Sequence, residues 1–348
     1  MTNGSILDGE NLKRWGSTLI GDANGPGQNL LINGGFDFAQ RQPTPVATPS
    51  IMFKYGADRW YLATETAYAS CTYSRNLGVG EAGLTSKYYG TYAATATGKM
   101  ALCQVLESTD TEGIRNRASI FQIKMKANVA TSMRICAIGW SGAQDAPTSP
   151  IASWNANGTD PTLATSWALL APAQTMSVGT SWATFSWTCI PNNMTNVAVI
   201  IWTANQMVSG NSFSVAEAGF YASVARRIWT PRPVALEFEL CQRYFEKSPG
   251  DIGLGMIISS MITTGNKSAQ PWVPFQMTKR IVPTVTLKSA GTGSLGYIAE
   301  YNPSGVPVQD LAQGVVASEY SFWYYTGASA SAGNTLRFML AGAEAELI

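Results

Sequence analysis

The sequence predicts an all-β protein: an antiparallel jelly roll or β-sandwich with a short N-terminal docking arm and a second, smaller C-terminal β domain. Three observations lead to this prediction. Apolar and polar residues alternate with period two in many short stretches, turn-rich segments separate these stretches, and helical periodicity is scarce. A series of short strands of this kind is typical of sandwiches and jelly rolls.

The composition is poor in charge. At 348 residues and 37.2 kDa the chain is long enough for two domains. Charged residues make up 13% of it, about half of the roughly 25% found in typical soluble domains. Its surface is therefore built largely from neutral residues. We expect such a surface to be covered by copies of the same chain or to meet neutral polar partners such as glycans.

The same composition argues against several functions. A net charge of +1 without any basic run argues against nucleic-acid binding. The longest apolar stretch, residues 196–204, is too short for membrane insertion. Histidine is absent, which removes Ser-His-Asp and Cys-His catalysis and the usual general base. We therefore predict no enzyme activity and no cofactor. The five cysteines are scattered and lack a CxxC pair, so reduced, core-filling thiols are expected.

Residues 1–28 form the predicted docking arm, a polar segment that ends in the linker-like GDANGPGQ. Its apolar side chains cannot be buried by so short a segment alone. We therefore expect the arm to order on a partner, and packing on its own domain is the alternative. The apolar residues expected at the docking surface are Ile6, Leu7, Leu12 and Trp15.

Residues 29–248 form the predicted jelly roll. Strand patterns occur at 118–127, 132–140, 181–190, 196–204 and 212–222. One helical stripe occurs at 233–247. After this stripe a second block of strand-like segments begins, so residues 249–348 are predicted to form the smaller β domain.

Four blocks along the chain carry a resemblance. They are NLLINGGFDFAQRQ (29–42), YGADRWYL (55–62), ELCQRYFEKS (239–248) and PFQMTKRIVPTVTL (274–287). In this order they resemble bacteriophage virion appendage proteins of the tail-fibre, receptor-binding or head-fibre type, whose main domain is a carbohydrate-binding-module-like jelly roll. The resemblance implies a structural protein of the virion, commonly a homotrimer, that docks to other virion proteins and contacts host-surface glycan.

The function expected from this resemblance is that of a tail-fibre or receptor-binding appendage, made in the host cytoplasm and located in the virion. Two alternatives stay open. A head fibre or capsid-decorating protein would share the scaffold but stabilise the shell. A glycan depolymerase would need a carboxylate pair, which sequence spacing does not identify because the two residues meet only in the fold.

Aromatic side chains supply the predicted binding residues, because flat faces stack on sugar rings. The glycan contacts predicted from turn-rich regions are Trp140, Trp154 and Trp167. A C-terminal run places aromatic residues on both faces of a strand, which predicts an oligomer interface, with core packing and receptor contact as alternatives. Its members are Tyr320, Phe322, Trp323, Tyr324 and Tyr325.

The turn NANGTDP has part of the composition of a calcium loop. Its Asn157 and Asp160 supply the oxygen ligands that calcium prefers. The ligand set is incomplete, however. We therefore predict an ordinary loop at this turn.

Overall fold

The computed structural model describes residues 28–41, 52–65, 71–192, 194–248, 258–261, 272–326 and 334–347. The predicted docking arm with Ile6, Leu7, Leu12 and Trp15 lies outside these residues, so its role stays a prediction. The described residues form an all-β fold with antiparallel pairing in every sheet, as the sequence predicts. No helix among them has the length and hydrophobicity needed to cross a membrane.

The chain divides into two compact units. The first ends at Pro231 and the second runs over Arg232–Glu346. The sequence pattern instead predicts the division after residue 248. The structure moves it earlier because Phe245 and Glu246 pair with the last strand of the second unit, so the segment before residue 248 belongs to that unit.

The first unit is a β-sandwich. Its described strands are β1 (Met52–Tyr55), β2 (Tyr61–Thr64), β3 (Cys71–Leu77), β4 (Tyr88–Ala94), β5 (Met100–Val105), β6 (Ser119–Ala127), β7 (Thr131–Trp140), β8 (Ile151–Ser153), β9 (Thr162–Leu163), β10 (Trp167–Leu169), β11 (Gln174–Val178), β12 (Ala183–Cys189), β13 (Asn196–Thr203) and β14 (Ser212–Tyr221). Its described residues also include a short helix, α1 (Ser108–Glu112). Sheet A has the order β1-β2-β5-β13-β7-β10, with β11 also on β7, and sheet B has the order β12-β6-β14-β4-β3.

All five strand patterns read from the sequence are confirmed, and β6 shows why. Phe121, Ile123 and Met125 alternate along it and are fully buried. Lys124 and Lys126 lie on the opposite face and remain partly exposed. Period-two alternation therefore places Phe121, Ile123 and Met125 in the core and leaves the two lysines on the opposite face of β6.

A short segment before β1 joins the two sheets at one end. The N–H of Ile32 donates to the side-chain oxygen of Gln104 in sheet A at 2.7 Å. The carbonyl of Ile32 accepts a hydrogen bond from the side-chain amide of Gln104 at 2.8 Å. Leu30 donates its N–H to the carbonyl of Phe220 in sheet B at 2.9 Å. This segment belongs to the first of the four blocks that carry the resemblance. That block therefore connects the two sheets of the sandwich.

The described residues of the second unit form a helix and a set of antiparallel strands. They are α2 (Val234–Gln242), β15 (Phe245–Glu246), β16 (Ile258–Met261), β17 (Val273–Pro274), β18 (Thr284–Ser289), β19 (Tyr297–Tyr301), β20 (Pro307–Ala317), β21 (Ser321–Thr326) and β22 (Thr335–Glu344). Sheet C has the order β15-β22-β19-β20-β21-β17, and β16 and β18 also pair with β22. The helical stripe of the sequence is confirmed by α2, although the helix ends at Gln242.

The five cysteines are free and buried, which confirms their predicted role as core residues. Burial raises the pKa of Cys71 and of Cys189 to about 12. These two thiols therefore stay protonated at neutral pH and are poor nucleophiles.

Candidate functional site

Two of the three predicted glycan contacts are almost fully buried. Trp140 and Trp167 lie directly opposite each other on neighbouring strands, and their ring centroids are 5.4 Å apart. Each is only 6% exposed. Their indole N–H groups donate to the carbonyls of Ala143 and Thr148, both at 2.8 Å. The turn-rich loop that follows Trp140 folds back and is held by these two rings, so little of either ring is exposed.

Trp154 is the third predicted contact, and it follows the short strand β8. It is half-buried, and its indole N–H is a buried donor with no hydrogen-bond partner among the described residues. A role in glycan contact stays a prediction for this residue.

The C-terminal aromatic cluster divides between the core and the surface. Phe322 and Tyr324 are fully buried in the core of the second unit, where Tyr324 lies 4.4 Å from Phe338 between ring centroids. They have no exposed surface to offer to another copy, so the structure assigns them to the core. Trp323 is half-buried on the opposite face and Tyr320 is 66% exposed. The side chain of Tyr325 lies outside the described residues.

The polar face of sheet B carries a cluster that the sequence analysis did not select. We call it the aromatic corner: Tyr89, Trp182, Glu81 and Lys126. The two rings meet edge to face at 77° with centroids 5.3 Å apart. The ammonium of Lys126 lies 5.2 Å from the centroid of Tyr89 and 5.0 Å from that of Trp182.

Glu81 fixes the aromatic corner through three hydrogen bonds. Its carboxylate accepts from Lys126 at 2.6 Å, from the indole of Trp182 at 3.1 Å and from the hydroxyl of Tyr89 at 3.5 Å. One loop residue therefore orients both aromatic side chains. The orientation of both rings is therefore fixed by contacts within the protein.

A second glutamate fastens the loop that carries Glu81. Glu217 lies at a bulge in β14, is 4% exposed and accepts the N–H groups of Thr85 and Ser86. It also pairs with Lys124 at 2.8 Å. Lys124 in turn donates to the carbonyl of Gly83. Residues 78–87 are thus attached to the sheet by a charge-assisted network.

A row of neutral polar side chains continues from the aromatic corner across sheet B. Ser74, Thr91 and Ser214 are paired in register on β3, β4 and β14, and Ser214 is paired with Lys126 of β6. The hydroxyls of Thr91 and Ser214 are 2.8 Å apart, and Asn76 donates to Thr91 at 3.0 Å. We call Ser74, Asn76, Thr91 and Ser214 the hydroxyl row.

Both carboxyl groups of this face are set up to stay ionised. Hydrogen bonds from Lys126 and Trp182 lower the pKa of Glu81. Burial alone would raise the pKa of Glu217, but the hydrogen bonds from Lys124, Thr85 and Ser86 outweigh it and leave the pKa below its ordinary value. A glycosidase needs a carboxyl group whose pKa is raised so that it can donate a proton. These two glutamates have the opposite property.

The aromatic corner had a signal in the sequence. In SWATFSWTCI, Trp187 is 5% exposed and points into the core. Trp182 is an odd number of positions away, so alternation places it on the other face. The phase of the strand therefore identified Trp182 as the outward-facing ring, whereas Glu81 and Tyr89 are remote in sequence and could not be associated with it.

Comparison with known proteins gives structural likenesses only. No protein-family model matches the chain, and no curated protein matches it. TmCBM61 in complex with beta-1,4-galactotriose is 8% identical over 56% of this chain and 99% of its own, with a TM-score of 0.34. A putative sugar binding protein from Bacteroides thetaiotaomicron is 15% identical over 56% of this chain and 100% of its own, also with a TM-score of 0.34.

A third solved structure is the enzymatically active domain of tailspike protein 4 from bacteriophage CBA120. It is 11% identical over 56% of this chain and 21% of its own length, with a TM-score of 0.32. At TM-scores this low the likenesses carry no argument about function. The function has to be inferred from the residues of this chain.

Proposed function

We propose that the first unit binds a neutral glycan on the polar face of sheet B. The observation that supports this most directly is the aromatic corner beside the hydroxyl row. A sugar ring presents an apolar face that stacks on an aromatic ring and hydroxyls that pair with neutral polar side chains. Trp182 and Tyr89 supply the first kind of contact, and the more exposed members of the hydroxyl row, Ser74, Asn76 and Thr91, supply the second.

The charges of this face favour a neutral ligand over an acidic one. Lys126 is paired with Glu81 at 2.6 Å and Lys124 with Glu217 at 2.8 Å. Because each of these lysines already has a counter-charge, neither is available for a sulfate or carboxylate without breaking an ion pair. Binding should therefore depend little on ionic strength.

Replacing Trp182 by Ala is expected to weaken glycan binding by roughly tenfold or more, because a central aromatic anchor is lost. The measurement is affinity electrophoresis of the full chain through gels containing neutral polysaccharides, followed by calorimetry on the best one. Trp272→Ala is the matched control, since Trp272 is a 63% exposed tryptophan in the second unit. Equal retention of both variants would contradict the assignment of the site to sheet B.

We further propose that the chain is a structural protein of a phage virion, a tail-fibre or receptor-binding appendage that attaches to host-surface glycan. The four-block resemblance supports this. The outer face of sheet C is suited to contact between copies, because Val316 and Trp323 are directly opposite in register and Val316 is 44% exposed. A homotrimer would cover this face, and the N-terminal arm would dock to other virion proteins.

This assembly has two expected results. The chain should be present in purified virions, and its mass in solution should be three times the 37.2 kDa of one chain. Val316→Lys should shift that mass toward the single chain, since it introduces charges into a face buried between copies. Val224→Lys is the control, at a 76% exposed valine of the first unit. Absence from virions would reject the proposal even if glycan binding is found.

A further inference from the structure

Lys99 is a buried cation with an unusual set of partners. It is 1% exposed and lies just before β5. Its ammonium donates to three main-chain carbonyls of one loop: that of Asn155 at 2.8 Å, that of Ala156 at 2.7 Å and that of Thr159 at 3.3 Å. An ammonium group has three N–H donors, so each of them has one carbonyl partner.

The loop is shaped so that these carbonyls converge. The N–H of Thr159 donates to Ala156 at 3.0 Å and closes a turn. Gly158 within the turn has a φ of +81°, a left-handed conformation that favours glycine. Its N–H donates to the carbonyl of Ala204 at 2.9 Å, which fixes the turn to the sandwich. We call residues 155–159 the carbonyl loop.

Two carboxylates lie near Lys99 and the carbonyl loop. Glu65 accepts the main-chain N–H of Lys99 at 2.9 Å. Burial lowers the pKa of Lys99, and the charges of Glu65 and Asp160 raise it in part. The inward carbonyl dipoles and two nearby carboxylates therefore create a site for positive charge.

The residues that resembled calcium ligands in the sequence are used elsewhere. The side-chain oxygen of Asn157 accepts the N–H of Gln206 at 2.9 Å. One oxygen of Asp160 pairs with Arg134 at 2.9 Å. Calcium requires six to eight oxygen ligands, whereas three carbonyls match the donors of one ammonium group. The described residues also contain no group of three or more acidic or cysteine side chains suited to a metal.

We propose that the carbonyl loop is a cation cage whose resident cation is the Lys99 ammonium, and that the same cage without Lys99 binds a free alkylammonium ion. In this arrangement the protein's own side chain does what a bound metal ion does in other loops. Without the ammonium the three carbonyls would lose their charged donor. The loop therefore needs no metal to hold its conformation.

The test uses the full chain with Lys99→Ala. This change removes three methylene groups and the ammonium. The ion n-propylammonium has the same number of carbon and nitrogen atoms as the removed group. We expect the melting temperature of the first unit to fall by on the order of 10 °C and to recover in part with n-propylammonium. Neither n-propanol, which has no charge, nor tetramethylammonium, which has no N–H, should restore it. Lys87→Ala is the matched control, because Lys87 is exposed.

Three further measurements test the proposal if Lys99→Ala folds poorly. The yield of refolded protein should then rise with n-propylammonium but not with n-propanol. Lys99→Met fills the same space without charge, so it should be destabilised and should not respond to n-propylammonium. A chelator should leave the melting temperature of the unaltered protein unchanged. Equal recovery with n-propanol, no recovery at all, or a loss of stability on chelation would overturn the proposal.

Discussion

Replacing Glu246 by Gln is expected to lower the free energy of unfolding of the second unit by about 3–5 kcal/mol, because it leaves a buried charge without its partner. The carboxylate of Glu246 accepts from Lys279 at 2.6 Å and from the N–H of Gln276 at 3.1 Å. The side chain of Lys279 is 0% exposed. Its other hydrogen bond goes to the carbonyl of Gln242 at 2.6 Å.

The loss of stability caused by Glu246→Gln should become smaller as the pH rises. Burial lowers the pKa of Lys279, and the hydrogen bond and charge of Glu246 partly raise it again. Without that carboxylate the folded-state pKa falls further below the ordinary value of 10.5. A lysine whose pKa is lowered by folding is destabilising in full below its folded-state pKa. That cost disappears as the pH rises through the interval up to the unfolded-state value.

Hydrogen exchange of peptides from β22 measures this effect in the full chain, since a chain of two units does not unfold in a single two-state step. Lys247→Met is the matched control, because Lys247 is adjacent to Glu246 but exposed. The double variant Glu246→Leu/Lys279→Met removes both charges and should be less destabilised than Glu246→Gln. If Lys247→Met and Glu246→Gln accelerate exchange equally, the Glu246–Lys279 pair does not contribute the predicted stability to the second unit.

The four recognised blocks predicted the scaffold because each is part of a buried polar network. Glu246 from the third block pairs with Lys279 from the fourth. Asn33 from the first block donates to the carbonyl of Asp58 in the second at 2.9 Å. The blocks thus belong to two pairs, one in each unit. They specify how the chain folds, which is why they gave a scaffold and no binding residue.

The strands were predictable because alternation is a local pattern. Ile123 and its neighbours in β6 show a period of two that directly reports which face is buried. The environment of Trp140 was not predictable in this way. Its exposure depends on a loop that returns over it, and only the N–H bond to Ala143 in the structure reveals that return. Turn-rich sequence identifies a loop but not the surface on which it lies.

The aromatic corner was also only partly predictable from the sequence. Trp182 directly precedes β12, Tyr89 lies in β4, and Glu81 comes from a loop, so the three residues are not neighbours in one sequence pattern. Alternation predicts that Trp182 faces outward. It does not predict that a ring, a carboxylate and Lys126 meet it there, since this requires the strand order of sheet B.

Trp60→Ala is expected to destabilise the first unit by about 3–5 kcal/mol, because a large buried ring is lost and the cavity is only partly filled. Trp60 is fully buried and stacks on Phe36, with centroids 5.2 Å apart and planes at 22°. Its indole N–H donates to the carbonyl of Asn33 at 3.0 Å. Hydrogen exchange of peptides from β5 and β13 is the measurement. The exposed Trp272 gives the control, and Trp272→Ala should change exchange little.

Trp60→Phe separates packing from hydrogen bonding at this position. It keeps an aromatic ring against Phe36 but leaves the carbonyl of Asn33 without the indole donor, so a smaller loss of about 1–3 kcal/mol is expected. Asn33 also donates to the carbonyl of Phe38 at 2.8 Å and accepts the N–H of Phe38 at 3.1 Å. Asn33→Ala should therefore remove hydrogen bonds within the first block and between the first and second blocks. Its loss of stability should exceed that of Trp60→Phe. The opposite order would mean that the closing segment is held by its apolar residues and that the polar network between the two blocks is secondary.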